Sequence, residues 1–341
     1  MGNDFRRDHS FRIPRPDQSV AYGTPNACTD CHTDQSDQWA ADQVVAWYGP
    51  ERPSHFSDAL LLSLKDSLTA QEAVQVQLLI GLNEFPYIAR ATAIENYSFM
   101  HHGKDYEVLL GAQNDPNPLV RSKALQKYQN EMPGQRAVMA FKFFNDESKL
   151  VRLEAVALAA DANLNEMSEE WYYAFREALP EYRKYLYVNS NFATGRAQLG
   201  DYFFKRGILD SAILHYEMAL EMDDQLGPVY GNLAAVYNSV GQDELAISIL
   251  NDWIIAQPWN ARANYLRGLI LYETDYIDLA EDNFQKAIEK DPEFYRAYYN
   301  LATLMYHQKR YDEANEVIKK GLEINPSDPD GLNLLMLTEK I

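Results

Sequence analysis

From Gln71 onward, apolar residues recur at spacings of three and four, the period of helices that bury one face. Three segments in the first half share the pattern apolar-x-Arg-x-x-Ala-apolar at intervals of 31 residues. They are IARATAI at 88, LVRSKAL at 119 and LVRLEAV at 150. The pattern predicts three helices, each with a small alanine on its packing face. Their arginines, Arg90, Arg121 and Arg152, take equivalent positions at which each can pair with a neighbouring carboxylate.

Two turn sequences support this repeat, because DPNP at 115 and DESK at 146 precede its later copies. The pattern resembles short HEAT-like repeats, in which helices stack along the chain. The alternative is that unrelated helices share the pattern by chance.

A second pattern, with a period of 34 residues, follows it. Its small residues are Gly200, Ala234, Gly268 and Ala302 in one series, and Ala212, Ala246, Ala280 and Ala314 in the other. Prolines close the later repeats at 258, 292 and 326, whereas Asp224 takes that place in the first repeat. The series resembles tetratricopeptide repeats, which need small side chains where helix A crosses helix B. A helix from about 328 to 339 would cap the array.

With Ala193 as the first repeat position, the register assigns one set of polar and aromatic residues to the inner faces of the A helices. These residues are Asn238, Arg262, Tyr265, Tyr272, Arg296, Tyr299 and Tyr306. Tyrosine and arginine anchor protein partners well, so this surface predicts a groove for a protein or peptide ligand. The alternative is that the tyrosines only pack between repeats, since the chain contains 23 of them.

Composition and charge narrow the possible partners. The chain has 341 residues with 46% hydrophobic and 24% charged residues, which is typical of a globular protein. Lys and Arg total 31 against 50 Asp and Glu, and the net charge of −19 disfavours nucleic acid and anionic lipid surfaces. No apolar run is long enough to span a membrane. The polar N-terminus lacks the apolar core of a signal peptide, which by itself indicates the cytoplasm.

Both cysteines of the chain lie in the segment Cys28-Thr29-Asp30-Cys31-His32. The spacing C-x-x-C-H is that of covalent haem c attachment, with two thioether bonds and the histidine as axial ligand of the iron. Three alternatives remain open: a zinc site, which needs a fourth ligand, a redox-active dithiol, and a disulfide or unmodified thiols.

His32 alone leaves the sixth iron position to another residue. His9 and His55 are the candidate distal ligands, because each lies 23 residues from His32, on opposite sides. Arginines near His9 could meet haem propionates. The other histidines, at 101, 102, 215 and 307, are expected to be ordinary surface or packing residues.

The first 60 residues, with DHSF and PRPD leading into GTPNAC, CH and then WYG, resemble the last haem-binding segment of large multihaem c-type cytochromes. These cytochromes carry helical repeats at their C-terminal end. The resemblance implies a periplasmic or extracellular protein with redox partner proteins or neighbouring haem domains. Further C-x-x-C-H motifs would lie upstream, so we expect an internal fragment or a mis-assigned start, which reconciles the motif with the missing signal peptide.

The sequence therefore predicts an all-α protein in three parts. Residues 1–55 would bind haem c, 56–190 would form the HEAT-like repeats, and 191–341 would form an α-solenoid of tetratricopeptide repeats with its capping helix. The expected function is electron transfer on a scaffold for protein partners, and no catalytic constellation stands out. The alternatives are a scaffold or assembly protein with a structural haem, and a haem enzyme with an open iron site.

Overall fold

The computed structural model of the chain describes residues 14–51, 55–65, 67–99, 103–163 and 168–339. Within these ranges every regular element is a helix, as the apolar periodicity predicts. No helix among them is long and apolar enough to cross a membrane. The helices form two compact units that divide between Leu158 and Ala159, and each unit is described by itself.

The first unit consists of short helices, several of them begun by capping side chains or by proline. They are α1 (Pro16–Tyr22), α2 (Ala27–Cys31), α3 (Asp37–Tyr48), α4 (Phe56–Leu62), α5 (Ala70–Gly81), α6 (Tyr87–Asn96), α7 (Gly103–Gln113), α8 (Pro118–Gln126), α9 (Pro133–Ala140) and α10 (Lys149–Leu158), with a 3₁₀ helix at Phe141–Phe143. The helix expected near residues 36 to 48 is α3, which begins after the N-cap Ser36.

The three helices that the 31-residue period predicts are α6, α8 and α10. Their repeat alanines, Ala93, Ala124 and Ala155, are fully buried, which confirms the predicted packing face. The preceding turns are closed by aspartates. Asp115 accepts a hydrogen bond from the Asn117 N–H at 2.8 Å, and Asp146 accepts one from the Ser148 N–H at 2.8 Å.

The arginine of each repeat helix forms an ion pair or a hydrogen bond with a residue of a turn. The buried Arg90 forms an ion pair with Asp115. Arg121 holds Asp146 with two hydrogen bonds, at 2.7 and 3.0 Å, and Arg152 donates to the backbone carbonyl of Asp146 at 2.7 Å. The predicted pairing with carboxylates is thus present for Arg90 and Arg121. The assignment of these helices to HEAT-like repeats stays a prediction.

The second unit is a series of longer helices arranged as antiparallel pairs. They are α11 (Glu169–Asn189), α12 (Ala193–Lys205), α13 (Leu209–Met222), α14 (Gly227–Ser239), α15 (Asp243–Ala256), α16 (Ala261–Glu273), α17 (Ile277–Lys290), α18 (Tyr295–His307), α19 (Tyr311–Ile324) and α20 (Pro329–Glu339). The predicted capping helix is α20.

Helix A of each repeat carries a small residue where helix B presents a large one. A Cβ atom on Gly200 would lie 2.5 Å from the ring of Tyr216, and one on Gly268 would lie 2.8 Å from the ring of Phe284. In the alternate repeats alanine replaces glycine, and the corresponding residues of helix B are the smaller Leu250 and Ile318, which are also buried. The 34-residue spacing of small residues therefore has a steric cause.

The turn between helices A and B has the same backbone in every repeat. Gly207, Gly241, Asp275 and Lys309, spaced by 34 residues, all have a positive φ, between +64° and +74°. Glycine adopts this region without strain and aspartate does so occasionally, whereas lysine has a steric cost there. The turn at Lys309 is therefore strained.

Replacing Lys309 with Gly should raise the free energy of unfolding of the second unit by about 1 kcal/mol, because glycine removes the steric cost of the left-handed conformation. Lys309 is exposed, so little packing is lost. Urea denaturation followed by circular dichroism measures the change. The control Lys320→Gly, within α19, should lower stability by about 1 kcal/mol. Equal losses in both variants would contradict the assignment of strain.

The second unit includes residues that the sequence assigned to the preceding domain. Leu186 of α11 belongs to the same hydrophobic cluster as Leu199 of α12, because α11 packs against the first repeat. The compact units accordingly divide at 158/159. The three-part division into 1–55, 56–190 and 191–341 stays a prediction.

Candidate functional site

The C-x-x-C-H residues lie together on α2 and at its C-terminal end. Cys28 and Cys31 are free thiols, the first half-buried and the second exposed. His32 is the C-cap, and its backbone N–H donates to the Cys28 carbonyl at 2.8 Å. The exposed imidazole contacts the indole of Trp39 on α3, with 5.1 Å between the ring centroids.

These residues form one wall of an open groove of about 230 Å³. The other wall is α3, which contributes Trp39, Ala40, Gln43, Val44 and Trp47. Two thiols and an imidazole facing a largely apolar wall suit the vinyl groups, the iron and the apolar ring of haem, so these residues fit that cofactor. Since ligand pockets usually measure about 300–1,000 Å³, the groove would cover only part of the ring. The indole of Trp47, 68% exposed, marks the uncovered side.

The described part of the chain contains no group of three or more His, Cys, Asp or Glu residues that could hold a metal ion. The zinc alternative for Cys28, Cys31 and His32 therefore has no ligand set within these ranges.

One of the two candidate distal ligands, His9, lies outside the described residues. The other, His55, is the N-cap of α4, and its Nδ1 accepts a hydrogen bond from the Ser57 N–H at 3.2 Å. It does not line the groove beside Cys28. Arg15, which lies in the same arginine-rich segment as His9, forms ion pairs with Asp17 and Asp58, and the hydrogen bond to Asp17 is the main cause of its raised pKa.

The histidines expected to be ordinary lie in two kinds of surroundings. His215 is buried and stacks on Phe203 with 5.3 Å between the ring centroids, and burial lowers the pKa of its imidazole. His307 is exposed at the end of α18. His101 and His102 lie outside the described residues.

A larger groove lies in the second unit, between consecutive A helices of the repeats. This α16–α18 groove has a volume of about 720 Å³. Its lining consists of Trp259, Asn260, Ala261, Arg262, Tyr265, Leu266, Leu269, Asp291, Phe294 and Arg296. Most of these residues are aromatic or aliphatic, and two carry guanidinium groups. Such a mixture of apolar surface and a few charged groups is typical of a ligand site.

Three of the predicted groove residues, Arg262, Tyr265 and Arg296, line the α16–α18 groove together. The Tyr265 ring is buried, and its hydroxyl accepts a hydrogen bond from Asn300 at 3.1 Å. Asn238 and Tyr299 do not line it.

The residues outside the groove are engaged elsewhere in the repeats. The Asn238 amide donates to Asp243 at 3.0 Å and to Glu273 at 3.3 Å. Tyr299, Tyr272 and Tyr306 pack against the hydrophobic clusters. The packing alternative thus describes these tyrosines, whereas Tyr265 both packs and faces the groove.

Sequence reasoning missed several lining residues of both grooves. Trp259 is 68% exposed in the loop before α16, and Phe294 is the N-cap of α18. The available signal in the sequence was a tryptophan between Pro258 and Asn260, just before a predicted helix, where a buried position is not expected. In the first unit, Trp39 and Trp47 lie eight residues apart, a spacing that places them on one face of α3.

Part of the chain is similar in sequence to known proteins with tetratricopeptide repeats. The family model described as tetratricopeptide repeat matches residues 276–336. Human tetratricopeptide repeat protein 6 is 24% identical over 157 residues, which are 46% of this chain and 30% of that protein. The type IV pilus assembly protein PilF of Pseudomonas aeruginosa is 27% identical over 137 residues, 39% of this chain and 53% of that protein.

Among solved structures, a crystal structure of the MamA protein is 25% identical and covers 43% of this chain and 81% of its own, with a TM-score of 0.39. The chain spans only about a third to a half of the length of the two curated relatives. Together with the helix pairs of the second unit, the family-model match over residues 276–336 shows that the chain carries tetratricopeptide repeats in a helical solenoid.

Proposed function

We propose that this protein is a scaffold that binds an extended segment of a partner protein in the α16–α18 groove. The observation that carries the proposal is the pair of groove arginines, Arg262 and Arg296, at equivalent positions of consecutive repeats. Both are exposed, and neither guanidinium has an ion-pair or hydrogen-bond partner in the part of the chain that the structure describes. Arg296 is still close enough to Asp328 to contribute, after the hydrogen bond from Tyr295, to the lowered pKa of that carboxyl. Arginines without a partner at a groove are suited to bind carboxylates.

The charge around the groove indicates what the partner segment contains. Residues 159–341 include 16 Lys and Arg against 30 Asp and Glu, so their formal charge is −14. A strongly acidic segment would be repelled by this unit as a whole, whereas one or two carboxylates can be bound locally. Asp291 also lines the groove, but its carboxylate accepts a hydrogen bond from the Glu293 N–H at 3.0 Å. Arg262, Arg296 and Asp291 together give the lining a net charge of +1, which favours a ligand carboxylate.

The apolar lining of the groove indicates the second feature of the partner segment, which is bulky apolar side chains. Leu266, Leu269 and Phe294 line the groove beside Tyr265, and the exposed indole of Trp259 stands at its rim. Aromatic and aliphatic side chains of a ligand would be desolvated there. The partner segment thus combines bulky apolar residues with one or two carboxylates.

Selection of 12-residue peptides from a random display library against the full chain tests this chemistry. We expect the enriched peptides to carry Asp, Glu or a free C-terminal carboxylate together with aromatic or large aliphatic residues. Their binding should weaken with rising salt, because the carboxylate contacts are partly exposed. Enrichment of peptides rich in Lys and Arg would contradict the proposed ligand.

A second function is favoured by the groove beside the two thiols. We infer that Cys28 and Cys31 hold haem c through thioether bonds and that His32 is its axial ligand, with His9 or His55 as the distal ligand. Once bound, the iron would supply electron transfer to redox partner proteins or neighbouring haems. A periplasmic or extracellular location belongs to this proposal. The free thiols on one short helix and the apolar wall of α3 support it.

A further inference from the structure

We propose that Asp37 is a positioning residue for the haem attachment site, acting through Asn26 to hold the thiol-bearing helix against α3. The proposal rests on the haem function inferred above. The Asp37 carboxylate accepts a hydrogen bond from the Asn26 amide at 2.6 Å and one from the Thr29 hydroxyl at 3.2 Å. Asp37 is the first residue of α3, whereas Asn26 and Thr29 belong to the N-terminal end of α2. These bonds connect the two walls of the groove.

Asn26 has a separate task within α2. Its side-chain oxygen accepts hydrogen bonds from the backbone N–H groups of Cys28, at 2.9 Å, and Thr29, at 3.4 Å. An amide has one accepting and one donating end, and a carboxylate only accepts. Asp37 therefore determines which way the Asn26 amide faces, because the donating end must point to the carboxylate and the accepting end to the helix.

The arrangement matters because α2 is short. Five residues form little more than one turn, and such a helix is not stable in water without tertiary contacts. Joining two sulfurs to one rigid ring requires both thiols on the same side at a fixed separation. The Asp37–Asn26–Thr29 cluster keeps Cys28 and Cys31 at the groove before any haem is attached, and His32 follows them directly.

Exchanging the two side chains, so that position 26 carries Asp and position 37 carries Asn, distinguishes the positioning role of Asp37 from helix capping by Asn26. Asp caps a helix as well as Asn does, so Asn26→Asp alone preserves the cap. It places two carboxylates where a donor and an acceptor had met, which breaks the contact with α3. The double variant Asn26→Asp, Asp37→Asn restores a donor and an acceptor in exchanged positions. Asp42→Ala is the control, since the exposed Asp42 lies on α3 and accepts a hydrogen bond from the Gln38 amide of the same helix.

The 341-residue chain and its variants, each preceded by a cleavable secretory signal peptide, would be produced in a bacterial host that attaches haem c in its periplasm. Covalent haem per polypeptide would be measured from the reduced pyridine spectrum. Loss of a charge-assisted hydrogen bond changes populations by roughly tenfold or more, so we expect Asn26→Asp to retain about a tenth of the wild-type haem. The double variant should recover most of it, and Asp42→Ala should match the wild type.

Hydrogen exchange of the chain made without haem gives a second measurement. Exchange at the Asp30 and His32 amides, which donate to the Asn26 and Cys28 carbonyls within α2, should accelerate in Asn26→Asp and return to the wild-type rate in the double variant. Wild-type haem content in Asn26→Asp, or no recovery in the double variant, would overturn the role of Asp37. Absence of covalent haem from the wild-type chain itself would overturn the haem function, and this inference with it.

Discussion

Replacing Arg90 with Met should lower the free energy of unfolding of the first unit by about 3–5 kcal/mol, the cost of removing one partner of a buried ion pair. The Arg90 guanidinium is buried, pairs with Asp115 and donates to the Ile80 carbonyl at 3.0 Å. Without it, the Asp115 carboxylate stays buried and loses its positive partner, while the Asn117 N–H still donates to it. Urea denaturation of the full chain, followed by circular dichroism, measures the loss.

Lys123→Met on α8 is the matched control, because the partly exposed Lys123 pairs with the exposed Glu95 at 2.9 Å. Such pairs contribute at most about 1 kcal/mol. Adding Asp115→Asn to Arg90→Met should recover part of the loss, since the neutral amide costs less to bury and still accepts the Asn117 N–H. A loss for Arg90→Met no larger than that for Lys123→Met would contradict the structural role of the arginines.

The double variant Cys28→Ser, Cys31→Ser should lose all covalent haem. Thioether bonds survive denaturation, whereas a haem held only by axial ligands is released. Wild-type protein matured in the periplasm should therefore show haem-dependent peroxidase staining on a denaturing gel, and the double variant should show none. A His215→Ala variant, which changes a buried histidine of the second unit, controls for nonspecific loss. Release of all haem from the wild type by acid acetone would rule out the thioether assignment.

Repeat positions could be predicted from the sequence because each has a local steric cause. The glycines at 200 and 268 are required where Tyr216 and Phe284 approach, and the left-handed turns recur at the same register. The same register brought Arg262, Tyr265 and Arg296 to one groove. In a regular array, position along the repeat determines position in space.

Contacts made by loops and by distant residues could not be predicted in this way. Trp259 and Phe294 lie in the loops between repeats, where the repeat pattern does not determine the position of a side chain. Asn238 has the register of a groove residue, but the nearby carboxylates of Asp243 and Glu273 bind its amide. The hydrogen bond from Asn26 to Asp37 joins residues eleven positions apart and depends on how α2 folds back on α3. The cysteine motif predicts haem attachment, which stays a prediction, and it gives no signal for the residues of α3 that line the groove.

The central claim is that the α16–α18 groove binds a partner segment through its two arginines. Calorimetric titration of a library-selected peptide into the wild type and into Arg262→Ala, Arg296→Ala tests it directly. Loss of two interface arginines should weaken binding by about 100-fold. The control Lys286→Ala, Lys290→Ala removes the same charge from α17, outside the groove, and should bind as the wild type does. Equal affinity of the arginine variant and the wild type, or an equal loss in both variants, would contradict the claim.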